Sequence, residues 1–394
     1  MKSRANSNSR LLLTACIISF VCFFGSYMRI PIVPLFAASL GADTVQVGMI
    51  NGAFMLMAGA LSIPSGLISD RLGRRIPLLG GMLLLAGSSF LFYWSSPLQM
   101  AVIYLLFGVG LSAFSPTLMS YVADVTPPEM LGKAYGLYTM ALYGGMTLGP
   151  AVGGFLGTVL GLRLVFLVAG TLIFAMFFVA LVFLPTPSID RRSGGTCTAI
   201  IPALKSLAGN RPLIACLVAT LGGCLGFGMF VTFMPPYIRS QGMNTGQVGL
   251  VFAAQALANA LSRLPSGRLS DRLEDRRVLV MGGLVVFAMA LAAFGLCLSI
   301  VPLMATAAMM GISMGVAFNV ICALIVDVVP LEMRGLAMGC YSTCVYAGMM
   351  LSSVCMGPVI RAEGFSVGFF LNGVAVAIVL VLFIFLYRRQ DNAG

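Results

Sequence analysis

The sequence contains no histidine and very few charged residues. Only 9% of its 394 residues are charged, whereas 59% are apolar. Ordinary soluble domains have about 25% charged and about 45–50% apolar residues. The lack of histidine excludes Ser-His-Asp triads, His-ligated zinc and imidazole proton shuttles, and no G-x4-G-K-[ST] loop is present for binding ATP phosphates. These absences argue against an enzyme, and the composition is typical of a membrane protein.

Long apolar runs divide the chain into twelve segments. A bilayer core about 30 Å thick requires roughly 20 apolar residues for each helical crossing. The sequence therefore predicts an all-α membrane protein with twelve transmembrane helices. The predicted spans are 11–37, 46–69, 77–95, 98–123, 133–160, 163–184, 212–238, 246–270, 277–299, 301–327, 335–360 and 365–387.

The positive charges lie mainly in the loops on one side of these spans. Eighteen Lys and Arg residues fall on that side, Arg163, Arg239 and Arg361 fall on the other, and Arg29 and Arg263 lie inside apolar runs. Short cytoplasmic loops of membrane proteins are enriched in Lys and Arg. We therefore expect both termini in the cytoplasm and the chain in the inner (plasma) membrane of a bacterial-type cell. The net charge of +11 follows from this topology and does not indicate a nucleic-acid partner.

The two halves of the sequence resemble each other. PSGLISDRL at 64–72 returns as PSGRLSDRL at 265–273, which relates Asp70 to Asp271. Asp124 and Gly145 return in the same way as Asp327 and Gly348. Such duplication is typical of transporters built from related halves. It predicts six-helix bundles at 1–186 and 212–394, joined by a cytoplasmic linker at 187–211 with a short surface helix at 198–209.

Residues 66–75, GLISDRLGRR, resemble the loop signature G-x-L-x-D-R-x-G-R-R of the major facilitator superfamily. The resemblance implies two pseudo-symmetric six-helix bundles around a central cavity that opens alternately to each side of the membrane. The signature residues are Gly66, Asp70, Arg71, Gly73, Arg74 and Arg75, with Gly267, Asp271 and Arg272 in the second half.

A second pattern occurs in the fifth predicted span. It is similar to the motif G-x8-G-x3-G-P-x2-G-G of the twelve-span drug/proton antiporters. Glycines four residues apart clear one helix face for close packing, and a proline within a helix removes a backbone hydrogen bond. The resemblance implies that this face packs against the eighth span and seals the cavity, and generic small-residue packing is the alternative. The residues are Gly136, Gly145, Gly149, Pro150, Gly153 and Gly154.

The loop signature also implies a mechanical role. By the resemblance, Asp70 lies near the start of the eleventh span, about Gly335, and one of the signature arginines pairs with Asp124 or Glu129. We predict that these contacts form a latch, which closes the cytoplasmic side in the outward-open state. The alternative is that the charges only determine topology.

Polar side chains at membrane depth should face the interior of the bundle. Arg29 is the most informative of them, with a substrate role, a position at the outer interface and pairing with Asp43 as alternatives. No acidic residue lies near the midplane, and the family's usual fourth-span arginine is replaced by Tyr104, so coupling to protons stays open. The candidate cavity residues are Arg29, Asn51, Tyr104, Tyr143, Gln255, Asn259, Arg263 and Asn319.

The sequence thus favours a secondary-active exporter of amphipathic or hydrophobic small molecules, for which 27 Phe and 26 Met provide an adaptable surface. One alternative is an organic-anion carrier that uses Arg29. Another is a sensor or assembly partner with a transporter fold. We expect a monomer in the lipid bilayer, with no cofactor and no metal site.

Overall fold

The computed structural model describes residues 2–127, 130–185, 200–273, 275–330 and 333–388, which form fifteen helices and no strand. The all-helical prediction is confirmed. The helices are α1 (Lys2–Met28), α2 (Ile32–Ser39), α3 (Thr44–Ala60), α4 (Ser62–Leu72), α5 (Arg75–Phe92), α6 (Pro97–Val125), α7 (Leu131–Val159), α8 (Leu162–Phe183), α9 (Ile200–Ala208), α10 (Arg211–Ser240), α11 (Thr245–Arg272), α12 (Arg277–Phe294), α13 (Ile300–Val328), α14 (Arg334–Glu363) and α15 (Phe365–Arg388).

The first two predicted spans are each interrupted once. Helices α1 and α2 are separated at residues 29–31, and α3 and α4 at Leu61. Proline explains both interruptions because its ring nitrogen has no N–H to donate to the carbonyl four residues earlier. Pro31 precedes α2, and Pro64 follows Leu61 by three residues.

Nine helical segments among the described residues are long and apolar enough to cross a membrane. The predicted second, fifth and eighth spans, α3–α4, α7 and α11, do not meet this criterion. Helix α3 is shortened by the break at Leu61, α7 is rich in glycine and tyrosine, and α11 carries Arg263 and Arg268. Each of these three spans also contacts the opposite half of the molecule, where a helix is shielded from lipid and tolerates polar residues.

Packing within the first half, α1–α8, is repeated in the second half, α10–α15. Helix α1 packs on α7 as α10 packs on α14, and α5 packs on α6 as α12 packs on α13. The halves meet through two equivalent pairs, α3 with α14 and α7 with α11. The boundaries at 186 and 212 stay a prediction, since residues 186–199 of the linker lie outside the described part of the chain. Helix α9 lies within the segment predicted as a surface helix.

The halves are packed closely at one membrane face, called here the Asp43 face, where α3 and α11 begin and α7 and α14 end. Thr44 Oγ1 donates a hydrogen bond of 2.9 Å to the Gly357 carbonyl, and Arg361 Nη1 lies 3.1 Å from Asp43 Oδ2. At the opposite Asp124 face, a Cβ built on Gly136 or Gly335 would meet no described atom within 4 Å. The cavity between the halves is therefore closed toward the Asp43 face.

Candidate functional site

A central cavity of about 150 Å³ lies between the two halves. Helices α1, α3 and α7 of the first half and α10, α11, α13 and α14 of the second half contribute to its wall. The lining residues are Tyr27, Ile30, Phe54, Met55, Tyr143, Met146, Thr147, Pro150, Phe227, Val231, Phe252, Gln255, Ala256, Asn259, Ala260, Arg263, Met314, Tyr346 and Met349.

Most of this lining is aromatic or methionine. Phenylalanine and tyrosine rings provide large flat contact surfaces, and methionine side chains adapt their shape at little cost. Both halves supply such residues, for example Phe54 and Met146 from the first half and Phe252 and Met349 from the second. The cavity can therefore hold the apolar bodies of small molecules that differ in shape.

Arg263 and Tyr143 form the polar centre of the cavity and join the two halves. Arg263 Nη1 donates a hydrogen bond of 3.0 Å to Tyr143 Oη, and the guanidinium carbon lies 4.2 Å from the centre of the Tyr143 ring. Arg263 Nε donates to Asn259 Oδ1 at 3.0 Å. Residues four apart on a helix lie on the same face, so Asn259 positions the guanidinium from one turn earlier in α11.

Two further predicted residues support this centre. Gln255 lines the cavity one turn before Asn259, and its Nε2 lies 3.6 Å from Met314 Sδ. Asn319 is not a lining residue. Its Nδ2 donates to the Arg263 carbonyl at 3.2 Å and to Ser266 Oγ at 3.1 Å, and it thereby ties α13 to α11 behind the cavity.

Arg29 does not line the cavity. Its fully buried side chain lies within the first half, where Nη1 donates to Ser89 Oγ at 2.7 Å and to Ser88 Oγ at 3.3 Å. The guanidinium carbon lies 3.8 Å from the centre of the Phe107 ring, while Nε and Nη2 have no hydrogen-bond partner among the described residues. The pairing with Asp43 does not occur, since the Arg29 guanidinium is bound to the two serines, and Asp43 instead pairs with Arg361.

Asn51 and Tyr104 also lie away from the cavity. Both are buried. Tyr104 packs in an aromatic cluster, with ring centres 5.2 Å from Phe92 and 5.3 Å from Phe54. Of the eight predicted residues, the structure therefore brings Tyr143, Gln255, Asn259 and Arg263 together at the cavity.

The sequence analysis missed Tyr346, although the internal repeat contained the signal for it. Tyr143 lies two residues before Gly145, and Tyr346 lies two residues before Gly348, the repeat counterpart of Gly145. Met146 and Met349 are related in the same way. The repeat thus places a Tyr and a Met from each half in the same cavity.

The loop signature forms matching ion pairs in the two halves. Arg74 Nε lies 2.9 Å from Asp124 Oδ2, and Arg276 Nη1 lies 2.9 Å from Asp327 Oδ2. Arg75 Nη2 donates to the Leu181 carbonyl at 2.8 Å.

Of the remaining signature residues, one glycine ends a helix and the two arginines are exposed. Gly73 ends α4 with φ of 86°, a conformation that favours glycine. Arg71 and Arg272 are exposed, a Cβ at Gly66 would meet nothing within 4 Å, and one at Gly267 would lie 3.6 Å from Asn319 Nδ2. Glu129 and the side chains of Asp70 and Asp271 lie outside the described residues.

The glycines of the fifth span differ from the expectation. A Cβ on Gly145 would lie 2.5 Å from the Phe20 carbonyl oxygen, and one on Gly149 2.7 Å from that of Phe24. The repeated glycine face, which includes Gly153, therefore packs on α1 and not on the eighth span.

Gly154 is the member of the motif that faces the eighth span. A Cβ on Gly154 would lie 2.7 Å from Gly249 Cα and 2.8 Å from the Thr245 carbonyl oxygen, both on α11. Successive residues of a helix are rotated by about 100°, so Gly153 and Gly154 contact different neighbours. Pro150 lies in the cavity lining.

Comparison with known proteins agrees with this architecture. A family model described as Major Facilitator Superfamily matches residues 15–247 and 217–393. The chain belongs to the Major Facilitator Superfamily. Members of this superfamily are multi-pass membrane transporters, and the membrane-spanning helices of this one agree with that location.

Two relatives within the superfamily differ in how much of the chain they match. The MFS-type transporter MJ1560 of Methanocaldococcus jannaschii is 22% identical over 344 residues, which cover 86% of this chain and 89% of that protein. The quinolone resistance protein NorA of Staphylococcus aureus is 27% identical over 220 residues, covering 55% of this chain and 56% of NorA.

Solved structures share the same superfamily fold. A bacterial homolog of the human lysosomal transporter Spinster, inward-facing and occupied, has a TM-score of 0.78 at 16% identity, covering 96% of this chain and 97% of that one. A mutant of the nucleoside transporter NupG has a TM-score of 0.78 at 15% identity, with coverages of 96% and 100%. At these identities the likeness concerns the fold alone.

Proposed function

We propose that this superfamily member exports amphipathic small molecules by alternating access. The observation that carries the proposal is the cavity between the halves, whose lining is mostly aromatic and methionine and which is closed at the Asp43 face. Such a surface accommodates varied apolar molecules. The similarity to a quinolone resistance protein also favours export.

The distribution of positive charge gives the proposed direction. The Asp124 face carries the loops rich in Lys and Arg, which the positive-inside rule assigns to the cytoplasm. A cavity closed at the Asp43 face would then be loaded from the cytoplasm, and opening at that face would release the substrate outside.

The cavity lining contains no carboxylate among the described residues. A buried Asp or Glu that alternately holds a proton and a cationic substrate is therefore not part of the proposed mechanism. If protons drive export, carboxylates at the Asp124 face such as Asp124 or Asp327 are the groups to carry them. The organic-anion alternative based on Arg29 is not favoured, since that side chain lies outside the cavity.

Counterflow in proteoliposomes tests the proposal. A radiolabelled quinolone and the neutral amphipath N-phenyl-1-naphthylamine serve as probes, and we expect accumulation at least five-fold above protein-free liposomes. In everted membrane vesicles the same probes should move into the lumen. If no amphipathic probe moves in either system, the proposed function is wrong and the sensor or assembly role is favoured.

Asp70→Asn should reduce counterflow at least ten-fold in correctly inserted protein. In the proposed latch the carboxylate stabilises the state that is closed at the Asp124 face, and its loss shifts the population toward the state described here. The measurement is counterflow at equal amounts of inserted protein.

Asp275→Asn is the matched control for this prediction. Asp275 pairs with Arg277 at 2.7 Å within one loop of the same face, and this hydrogen bond lowers the pKa of the Asp275 carboxyl group. The variant therefore removes a charge whose ion pair lies within the second half. Its counterflow should remain near that of the unmodified protein. Full transport by Asp70→Asn would show that the signature charges only determine topology.

A further inference from the structure

Arg263 is the only charged residue among the described residues that line the cavity. It lies on α11 and reaches across to Tyr143 on α7, so the positive charge stands where the two halves meet. The other polar groups around it are neutral and belong to Tyr143, Gln255 and Asn259.

No carboxylate in the described part of the chain pairs with Arg263. The ion pairs among the described residues involve other side chains, and both side-chain partners of Arg263, Asn259 Oδ1 and Tyr143 Oη, are neutral acceptors. A charge removed from water is costly unless an opposite charge or strong hydrogen bonds compensate it. The partly buried guanidinium is thus compensated only in part by the protein.

The guanidinium also has binding capacity left. Nε and Nη1 make the two hydrogen bonds. Nη2 has no hydrogen-bond partner among the described residues, and it retains accessible surface. A guanidinium presents several N–H groups in one plane, an arrangement that matches the oxygens of a carboxylate or phosphate group.

The apolar part of the cavity is adjacent to this charge. Phe227, Phe252 and Met314 line the same cavity as Arg263. A molecule with an apolar body and one charged end could therefore place its body on these side chains while its end contacts Arg263.

We infer that the substrate of this transporter is an amphipathic organic anion, with Arg263 as the residue that binds its negatively charged group. The inference rests on the proposed export function and adds the substrate's charge and the residue that selects it. Permanently cationic amphipaths are disfavoured, because they would meet a positive charge and no carboxylate among the described lining residues.

Binding of three matched probes to the protein in phosphatidylcholine nanodiscs tests the inference. The probes 1-naphthylacetate, 1-naphthylacetamide and 1-naphthylmethyltrimethylammonium share an apolar body and differ in the charge of the head, and biphenyl analogues repeat the series. Phosphatidylcholine carries no net charge, so these nanodiscs contain no anionic lipid that could compete with the probes for Arg263. We expect the carboxylate to bind at least ten-fold more tightly than the amide, and the trimethylammonium probe to bind most weakly.

Substitutions of Arg263 identify the selecting residue. Arg263→Gln should bind carboxylate and amide within two-fold of each other, and its retained affinity for the amide would show that the cavity is intact. Arg263→Lys should keep a reduced preference, since it retains the charge but not the planar fork. Arg268→Gln is the matched control, because Arg268 is an exposed residue on the same helix outside the cavity, and it should retain the full preference.

Several results would overturn the inference. These are equal affinity for carboxylate and amide in the unmodified protein, tighter binding of the trimethylammonium probe, a full preference in Arg263→Gln, or no binding of any probe. Counterflow of neutral N-phenyl-1-naphthylamine separates the two proposals. If that counterflow persists without a preference for anions, only the inference fails, whereas loss of counterflow for every probe removes the proposed export function itself.

Discussion

Gly154→Ala should reduce counterflow at least ten-fold while the protein remains folded. The added methyl group would lie 2.7 Å from Gly249 Cα and 2.8 Å from Gly249 N, distances that backbone atoms cannot relieve without separating α7 from α11. This contact joins the two halves at the Asp43 face, so the substitution opposes closure of that face and not the folding of either half. Counterflow and thermal unfolding in detergent are the two measurements.

Two other glycines of the same helix provide the controls. A Cβ on Gly136 would meet nothing within 4 Å, so Gly136→Ala should leave the unfolding temperature unchanged. Gly153 packs against the Met28 carbonyl of α1 within the first half, and Gly153→Ala should lower the unfolding temperature. A Gly154→Ala protein that transports at the normal rate would show that this contact is not needed for closure.

Removal of the two serine hydroxyls beside Arg29 should destabilise the protein strongly. Ser88 and Ser89 provide the hydrogen bonds of Nη1, and hydrogen bonds to a charged group contribute about 1.5–3 kcal/mol each. Among the described residues, the double variant Ser88→Ala, Ser89→Ala would leave the buried guanidinium in contact with the face of Phe107 and without a hydrogen-bond acceptor. We expect the free energy of unfolding to fall by about 3 kcal/mol or more.

Arg29→Met should restore the stability of this double serine variant. Methionine fills a similar apolar volume and carries no charge that needs compensation. The matched control is Ser26→Ala, since Ser26 is buried and its hydroxyl has no partner among the described residues, so its loss should not be destabilising. If Arg29→Met fails to restore stability, the serine hydroxyls act in some way other than by compensating Arg29. Thermal unfolding of all variants in one detergent is the measurement.

The internal repeat allowed much of the fold to be predicted. The duplicated segments imply equivalent helices, and the structure contains equivalent contacts between them, such as α3 with α14 and α11 with α7. The ion pairs Arg74–Asp124 and Arg276–Asp327 follow the same relation. Repeated residues occupy repeated environments, and this is why Tyr346 could have been found from Tyr143.

The placement of Arg29 could not be predicted from its position in the first span. The backbone is not helical between Met28 and Ile32, so helical periodicity does not carry across this break. The side chain is directed by the local backbone toward α5, where two serines accept its hydrogen bonds. The sequence left a substrate role, a position at the outer interface and pairing with Asp43 open, and the structure shows none of these but a buried side chain within the first half.

By itself, the sequence determined the membrane class, the helical fold, the duplication and the clustering of most cations at one end of the predicted spans, because these follow from composition, run length and repeated segments. The tertiary structure decided which polar side chains share the cavity and which glycine joins the halves. The position of a residue along a span predicts its depth in the membrane. Which helix its side chain contacts depends on how the neighbouring helices are arranged, and the sequence of one span does not contain that information. Gly153 and Gly154 are adjacent in the chain, yet they contact α1 and α11 respectively.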